Sequence, residues 1–163
     1  MSNIQWMYGM EPQSMPDDWR QRIIELFLRE TGEVYADVSL ASLNIPKWEG
    51  NLLLIDNETY PEAESLKGLL WSLPFLEDGV RVAAFVVEQQ YQSHGHGSDA
   101  WDHLIEHAQS LGKKMIQLEV KADNTRAQDF YQKRGLEIVE KLEHYYQSGL
   151  GYMMRGDIEQ HLA

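Results

Sequence analysis

The spacing of apolar residues along the chain predicts a succession of strands and helices. Apolar positions two apart predict strands, and apolar positions three and four apart predict amphipathic helices. Strands are predicted for residues 4–8, 51–56, 66–73, 80–88 and 115–120, with two more between residues 136 and 154. The first predicted helix begins at residues 16–18 and ends at residues 31–32. The second runs from Ser98 to a stop at Gly112, and the third from an Asn124 cap to Gly135.

The segment between residues 34 and 48 has a weaker pattern. Leu40 and Leu43, with Val38, favour a short helix that ends before Pro46, because the residue preceding a proline disfavours helical geometry. The turn over residues 76–79 joins two predicted strands as a hairpin, so antiparallel neighbours are expected. The sequence shows no internal repeat or linker. We therefore expect one α+β domain, residues 1–163, with a mostly antiparallel sheet.

A glycine-containing loop separates the strand at 80–88 from the helix that follows it. The loop has the sequence Q-S-H-G-H-G over residues 92–97, and the helix is predicted to open at Ser98. Glycines let the backbone approach a ligand closely, and the first turn of a helix offers unpaired N–H donors and a partial positive charge. This combination predicts a binding site for an anion such as phosphate.

Composition narrows the kinds of protein to which this loop can belong. The formal charge of −12 over 163 residues argues against nucleic-acid binding and favours cationic partners. Residues 113–141 differ, with seven Lys and Arg against five Asp and Glu, which fits either an ordinary scatter of solvated charges or a polyanionic ligand held in the C-terminal half. The absence of cysteine excludes thiolate chemistry. No apolar run is long enough to span a membrane and no signal peptide is evident, so a soluble cytoplasmic protein is expected.

Two common phosphate-binding patterns fit the loop poorly. A Walker-type loop requires a Gly-Lys-Ser/Thr ending, and the chain has none. The dinucleotide pattern is closer, since Gly95, Gly97 and Ala100 match it and Glu119 follows 24 residues after Gly95. Against it, residues 88–94 form a polar stretch between the strand and the first glycine, and too few residues follow for a doubly wound sheet. A dinucleotide-binding protein remains a minor alternative.

A third pattern accounts for two segments of the chain. Residues 87–98, V-E-Q-Q-Y-Q-S-H-G-H-G-S, resemble the pyrophosphate loop of the GNAT superfamily of N-acetyltransferases, with Gln92, Gly95 and Gly97 in register. Residues 118–136 resemble the second block of that family, in which Asn124, Ala127, Tyr131 and Gly135 match. Gly68 also lies where the preceding strand of the family often carries a glycine.

The resemblance implies a GNAT-like acyl-CoA N-acyltransferase fold, with a mixed, mostly antiparallel sheet that is splayed in the middle and flanked by helices. It also implies acetyl-CoA as co-substrate. The residues implied in cofactor binding are Val87, Gln92, Ser93, His94, Gly95, His96, Gly97, Ser98, Asn124 and Tyr131. Many members have Arg-Gly where this chain has Gln92 and Ser93. Because the cradle acts through backbone N–H groups, we expect binding to survive this difference.

Three side chains are candidates for the chemistry of acetyl transfer. The resemblance makes Tyr131 the general acid, although a buried aromatic residue is the structural alternative. Glu119 and the pair Tyr145-Tyr146 resemble the ribosomal-protein alanine N-acetyltransferase branch, in which the matching Glu is the proposed base. A salt-bridged carboxylate is the alternative for Glu119, and Glu88 is a second candidate base. The ordinary pKa of a glutamate, near ~4.3, is far below neutral pH, so either Glu needs burial or must relay a proton.

The remaining candidates concern metal, acceptor and partners. His103 and His107 are spaced as a zinc pair, but they lie opposite the apolar stripe and lack an H-E-x-x-H pattern, so we expect ordinary solvated residues and no metal. The resemblance makes Trp48 and Tyr145 candidate acceptor-site residues.

We expect acetyl transfer to a primary amine, which is either a small cationic amine or a protein N-terminus. A non-catalytic acyl-CoA-binding or sensing domain is the alternative function, and a homodimer through the C-terminal strands is common in the family.

Overall fold

The computed structural model describes residues 3–37, 45–46, 48–146 and 149–158, with the side chains of residues 144–146 excepted. Within these ranges seven strands form one mixed sheet in the order β1-β2-β3-β4-β5-β7-β6. The strands are β1 (Ile4–Tyr8), β2 (Leu52–Asp56), β3 (Leu66–Phe75), β4 (Gly79–Val87), β5 (Met115–Lys121), β6 (Glu137–Tyr146) and β7 (Gly149–Asp157). The α-helices in the same ranges include α1 (Asp17–Thr31), α2 (His96–Ser110) and α3 (Thr125–Gln132), and short 3-10 helices cover Pro12–Ser14, Ala63–Ser65 and Gln89–Tyr91.

Antiparallel pairing dominates the sheet, as the turn signals predicted. β1 pairs antiparallel with β2, β2 with β3, β5 with β7 and β6 with β7. The pairing of β4 with β5 is parallel and covers four residue pairs, from Gly79–Met115 to Val82–Leu118. The expected mixed, mostly antiparallel sheet is confirmed, whereas a doubly wound dinucleotide-binding fold is built on a mostly parallel sheet.

The predicted elements agree with the structure to within about three residues where the structure describes them. β7 continues to Asp157, past the expected end at residue 154, and α2 begins at His96 rather than Ser98. The Asp99 N–H already donates to the Gly95 carbonyl at 2.9 Å, so Gly97 lies inside the first helical turn. The predicted short helix around Leu40 and Leu43 falls outside the described residues.

The chain divides into two compact units. The first comprises Met1–Ser72 and Ala84–Leu104. Its buried apolar residues come from the inner face of α1, from β2 and β3, and from the first half of α2; they include Trp19, Ile23, Leu26, Phe27, Leu54, Leu70, Trp71, Trp101 and Leu104. Gly68 in β3 is part of this packing, since a Cβ added there would lie 2.6 Å from the Val86 carbonyl oxygen.

The second unit comprises Leu73–Ala83 and Ile105–Ala163. One side of β5 supplies the buried residues Ile116, Leu118 and Val120, and β7 supplies Met154. Tyr131 of α3 is also buried in this unit. The alternation of buried apolar residues along β5 is the period-2 pattern from which the strand was predicted. None of the described helices is long and apolar enough to cross a membrane.

Candidate active site

The loop between β4 and α2 has two left-handed residues. Ser93 has φ 64° and Gly95 has φ 86°. A Cβ on Gly95 would meet no atom within 4 Å, so the backbone angle rather than crowding favours glycine there. Ser93, His94 and Gly95 are exposed, whereas His96, Gly97 and Ser98 are half-buried. The predicted cradle is therefore an open turn that leads directly into a helix.

The N-terminus of α2 completes this cradle. Its first i to i−4 hydrogen bond is made by the Asp99 N–H, so the amides of His96 and Gly97 precede the bonded part of the helix. The Trp6 indole Nε1–H donates to the His96 carbonyl at 2.8 Å and fixes the first turn against β1. Backbone donors and the positive end of the helix dipole thus meet at residues 93–97, as an anion site requires. The roles of individual loop residues in cofactor binding stay predictions.

The Gln92 side chain is hydrogen-bonded to the backbone just before the loop. Its side-chain Nε2 donates to the Val87 carbonyl at 2.7 Å. The Glu88 N–H donates to the Lys67 carbonyl at 2.7 Å, and the Glu88 carbonyl accepts from the Tyr91 N–H at 2.8 Å. The resemblance implied that backbone groups around Val87 and Glu88 pair with the pantetheine amides. In the structure, the Val87 carbonyl and both Glu88 backbone groups are already bonded within the chain.

Glu88, the second candidate base, carries an ion pair. Its Oε2 lies 2.6 Å from Arg22 Nη2 and 3.8 Å from Arg29 Nη2. The Glu88 side chain is 16% exposed and that of Arg22 is 13% exposed. The Glu88 carboxylate is therefore part of an ion-pair contact between the end of β4 and α1.

Glu119, the first candidate base, is held in the same way on β5. Its Oε1 accepts from Arg81 Nη2 at 2.8 Å and from Arg81 Nε at 3.0 Å. The side chains are 11% and 31% exposed for Glu119 and Arg81 respectively. The parallel register sets Arg81 opposite Gln117, so its side chain reaches the next residue on the same side of β5. The salt-bridge alternative is what the structure shows, and a role for Glu119 in proton transfer stays a prediction.

The match of α3 to the second family block has a local structural basis. The Asn124 Oδ1 accepts from the Ala127 N–H at 3.1 Å and caps the helix. Tyr131 is 7% exposed and meets the Phe130 ring edge-on at 5.5 Å between centroids. Gly135 adopts φ 89° where the chain turns toward β6. Asn124 and Gly135 therefore fix the ends of a short helix that carries Tyr131.

The two candidate acceptor-site residues differ in what the structure describes. Trp48 is half-buried, and its indole Nε1–H donates to the Ser72 carbonyl at 2.9 Å. Its ring packs on Gly50, where a Cβ would lie 2.7 Å from the indole. The indole N–H is thus bonded to the sheet, and a role for Trp48 at an acceptor site stays a prediction. The side chain of Tyr145 lies outside the described part of the structure.

The histidines of α2 correct one expectation. His103 is half-buried: its Nε2 lies 3.1 Å from the Glu49 carbonyl, and its ring centroid lies 5.5 Å from that of Tyr8. It is therefore a tertiary contact rather than an ordinary solvated residue. Within the described ranges, no three His, Cys, Asp or Glu side chains are grouped as metal ligands.

Sequence reasoning missed the two arginines that hold the candidate bases. Arg22 lies on the helix α1, among polar residues with no special spacing, and carried no local signal. Arg81 did carry a weak signal, because it is a charged residue between the apolar neighbours Val80 and Val82 in a predicted strand. Aligning β4 with β5 in parallel register would have indicated its partner.

Comparison with known proteins agrees with this architecture. The family model described as the acetyltransferase (GNAT) family matches residues 20–136. No curated protein sequence matches the chain. Ard1 from Thermoplasma volcanium is a similar solved structure, with a TM-score of 0.76, 20% identity, and coverage of 95% of this chain and 97% of that chain.

Two further structures share the fold. Ribosomal-protein-S18-alanine N-acetyltransferase from Escherichia coli has a TM-score of 0.71 at 20% identity and covers 95% of this chain and 94% of its own. A chain of the NatC complex, crystallised with Gag peptide and CoA, has a TM-score of 0.72 at 19% identity and covers 95% and 98%. The expected resemblance and fold are confirmed. With most of its length matched by the family model, the chain belongs to the acetyltransferase (GNAT) family.

Proposed function

We propose that the protein transfers the acetyl group of acetyl-CoA to a primary amine by direct attack within a ternary complex. The observation that carries the proposal is the backbone of residues 93–97, in which two left-handed residues lead into the N-terminus of α2. This arrangement suits a pyrophosphate and lies in the segment that the family model matches. CoA is bound in the NatC crystal structure, which supports the same donor here.

The proposed reaction needs two proton movements. The neutral amine attacks the thioester carbonyl carbon, a C–N bond forms, the C–S bond breaks, and the sulfur leaves as a thiolate. We assign Tyr131 as the acid that protonates the thiolate. We assign Glu119 as the acceptor of the proton that the attacking nitrogen loses. Because Arg81 holds the Glu119 carboxylate, we infer that this proton arrives through water rather than by direct contact.

We propose a peptide or protein N-terminus as the acceptor. One structural relative is an alanine N-acetyltransferase of a ribosomal protein, and another was crystallised with a peptide. A small cationic amine, which the net charge of −12 also suits, is the alternative acceptor. Turnover of free-N-terminus peptides, spermidine and an aminosugar, followed by CoA release and mass spectrometry, separates these classes. Activity on spermidine with no peptide product would overturn the peptide assignment.

A non-catalytic acyl-CoA-binding domain is the second candidate. The specific observation in its favour is that both candidate bases are ion-paired with arginines. It predicts calorimetric binding of acetyl-CoA with no transfer to any amine in the panel. Transfer to one acceptor excludes it, and failure of the chain to bind CoA excludes both functions.

A further inference from the structure

Arg22 joins three elements of the first compact unit. It projects from α1; its Nε–H donates to the Leu66 carbonyl at the start of β3, at 3.0 Å, and its Nη2 lies 2.6 Å from Glu88 Oε2. Glu88 is the residue that follows β4. A single guanidinium therefore ties the helix, one strand start and one strand end together.

The segment after β4 is held at further points. The Gln89 N–H donates to Glu30 Oε2 of α1 at 3.2 Å. The Lys67 Nζ lies 5.8 Å from the centroid of the Tyr91 ring, within cation–π range. Together with the bond from the Glu88 N–H to the Lys67 carbonyl, these contacts fix residues 88–91 against α1 and β3. The glycine loop begins at the next residue, Gln92.

Because the Arg22–Glu88 pair is largely buried, losing it should destabilise the structure more than losing a surface ion pair would. With 13% and 16% of the side chains exposed, both charges are largely removed from water. Replacing Arg22 removes the 2.6 Å partner of Glu88 and leaves its longer contact with Arg29 at 3.8 Å, and replacing Glu88 removes the carboxylate from the largely buried Arg22. Losing the partner of a largely buried charge destabilises the surrounding structure. The surroundings here are the chain that leads into the loop, so the cost falls on loop geometry.

We propose that Arg22 and Glu88 are positioning residues that set the geometry of residues 92–98 for the phosphates of CoA. The inference rests on the proposed function. The loop has no arginine of its own, and the neutral side chain of Gln92 donates its Nε2 hydrogen to the Val87 carbonyl. Phosphate binding then depends on where the backbone N–H groups point, and this direction depends on the anchor at residues 88–91.

The decisive comparison uses Arg22→Gln, Glu88→Gln and a control arginine on the same helix. Arg20 is the matched control, because its side chain is 11% exposed, pairs with Asp37 at 3.0 Å and donates to the Met15 carbonyl without contacting the loop. We expect Kd for CoA, measured by calorimetry, to rise about tenfold or more in both loop-anchor variants, with kcat at saturating acetyl-CoA within about threefold of wild type. Arg20→Gln should leave Kd unchanged.

Two further variants keep the test valid if a variant folds poorly. Arg22→Lys retains the charge but loses the Nε–H that donates to the Leu66 carbonyl, so its Kd should lie between wild type and Arg22→Gln. The double variant Arg22→Glu, Glu88→Arg restores an ion pair and should recover part of the lost affinity. A fall in kcat with unchanged Kd in Glu88→Gln would instead make Glu88 a participant in proton transfer. Equal weakening of Kd by Arg20→Gln would reduce the effect to general destabilisation.

Hydrogen exchange separates this inference from the proposed function. Amides of residues 89–98 should exchange faster in Arg22→Gln than in wild type without any ligand, while α1 amides in Arg20→Gln and Arg22→Gln behave alike. Unchanged exchange over 89–98 overturns the positioning role even if CoA binds. Failure of wild type to bind CoA overturns the proposed function, and the exchange result then still decides whether the pair orders the loop.

Discussion

Tyr131 and Glu119 are the two side chains to which the proposed chemistry assigns protons. We expect Tyr131→Phe and Glu119→Gln each to lower kcat by roughly 10²–10⁴, the usual range for general acid–base groups. Steady-state kinetics with a peptide acceptor checks this, and calorimetry with CoA verifies that the donor still binds. Turnover at the wild-type rate in either variant removes that residue from the mechanism.

Arg81 provides the control for Glu119. If the ion pair only stabilises β4 against β5, Arg81→Gln and Glu119→Gln should have similar effects on thermal stability and neither should change kcat selectively. If Glu119 accepts a proton, Glu119→Gln should lose turnover beyond any loss of stability, whereas Arg81→Gln, which keeps the carboxylate, should retain more of it. The kinetics and melting temperatures of the two variants together distinguish catalysis from structure.

Gly95 is a residue whose conformation, not its size, matters. At φ 86° a non-glycine residue is strained by roughly 1–2 kcal/mol, although the space around it is open. Gly95→Ala should therefore weaken CoA binding and lower stability by about 1 kcal/mol. Gly95→Asn should be milder, because Asn tolerates left-handed backbone. Calorimetry and thermal melts check both variants; an Ala variant equal to wild type would show that the loop needs no left-handed residue there.

At the scale of elements, β3 and β4 approach each other unusually closely at Gly68. An alanine Cβ would lie 2.6 Å from the Val86 carbonyl and 3.2 Å from the Val87 Cα, and both contacts are with backbone. Gly68→Ala should therefore displace the end of β4 and cost about 1–3 kcal/mol, the range for overpacked sites. Chemical denaturation measures the loss. Gly68→Asn should destabilise the protein at least as much as Gly68→Ala, because any Cβ at this position meets the backbone of β4. At Gly95, by contrast, the backbone angle is the constraint and Asn relieves it. A neutral Gly68→Ala would contradict this packing.

Element boundaries were largely predictable because they depend on local sequence. Trp19, Ile23, Leu26 and Phe27 carry the period of α1, and Asn124 supplies a cap that the structure confirms by its bond to the Ala127 N–H. The start of α2 was missed by two residues because Gly97 predicts a loop, yet a glycine in a first turn is inexpensive when Gly95 already supplies the left-handed entry.

The side-chain contacts of the candidate site were not predictable in the same way. The Arg81–Glu119 pair depends on which residues of β4 and β5 lie opposite each other, and the Arg22–Glu88 pair joins residues 66 positions apart. Such contacts are set by tertiary packing, which single-sequence periodicity does not contain. The family motifs indicated Glu119 and Glu88 as candidates but gave no sign that arginines hold both.

On the scale of the whole molecule, charge is the property that bears on the acceptor. The chain carries −12 in total, whereas residues 113–141 carry a small positive excess. Long-range attraction should draw basic acceptors to the protein and repel acidic ones. That residues 1–163 form a single domain stays a prediction, and the charge argument does not depend on it.

Matched peptides with the same N-terminal residue and either lysines or glutamates at the following positions test this effect. We expect kcat/KM to favour the lysine peptide by about tenfold at an ionic strength of about 0.02 M, since electrostatic steering acts on encounter. The preference should fall severalfold at about 0.15 M, where the screening length shortens to roughly 8 Å. A preference that persists unchanged with salt would indicate direct side-chain contacts in the acceptor site. A preference for the glutamate peptide would show that the local field at the site opposes the net charge of the chain.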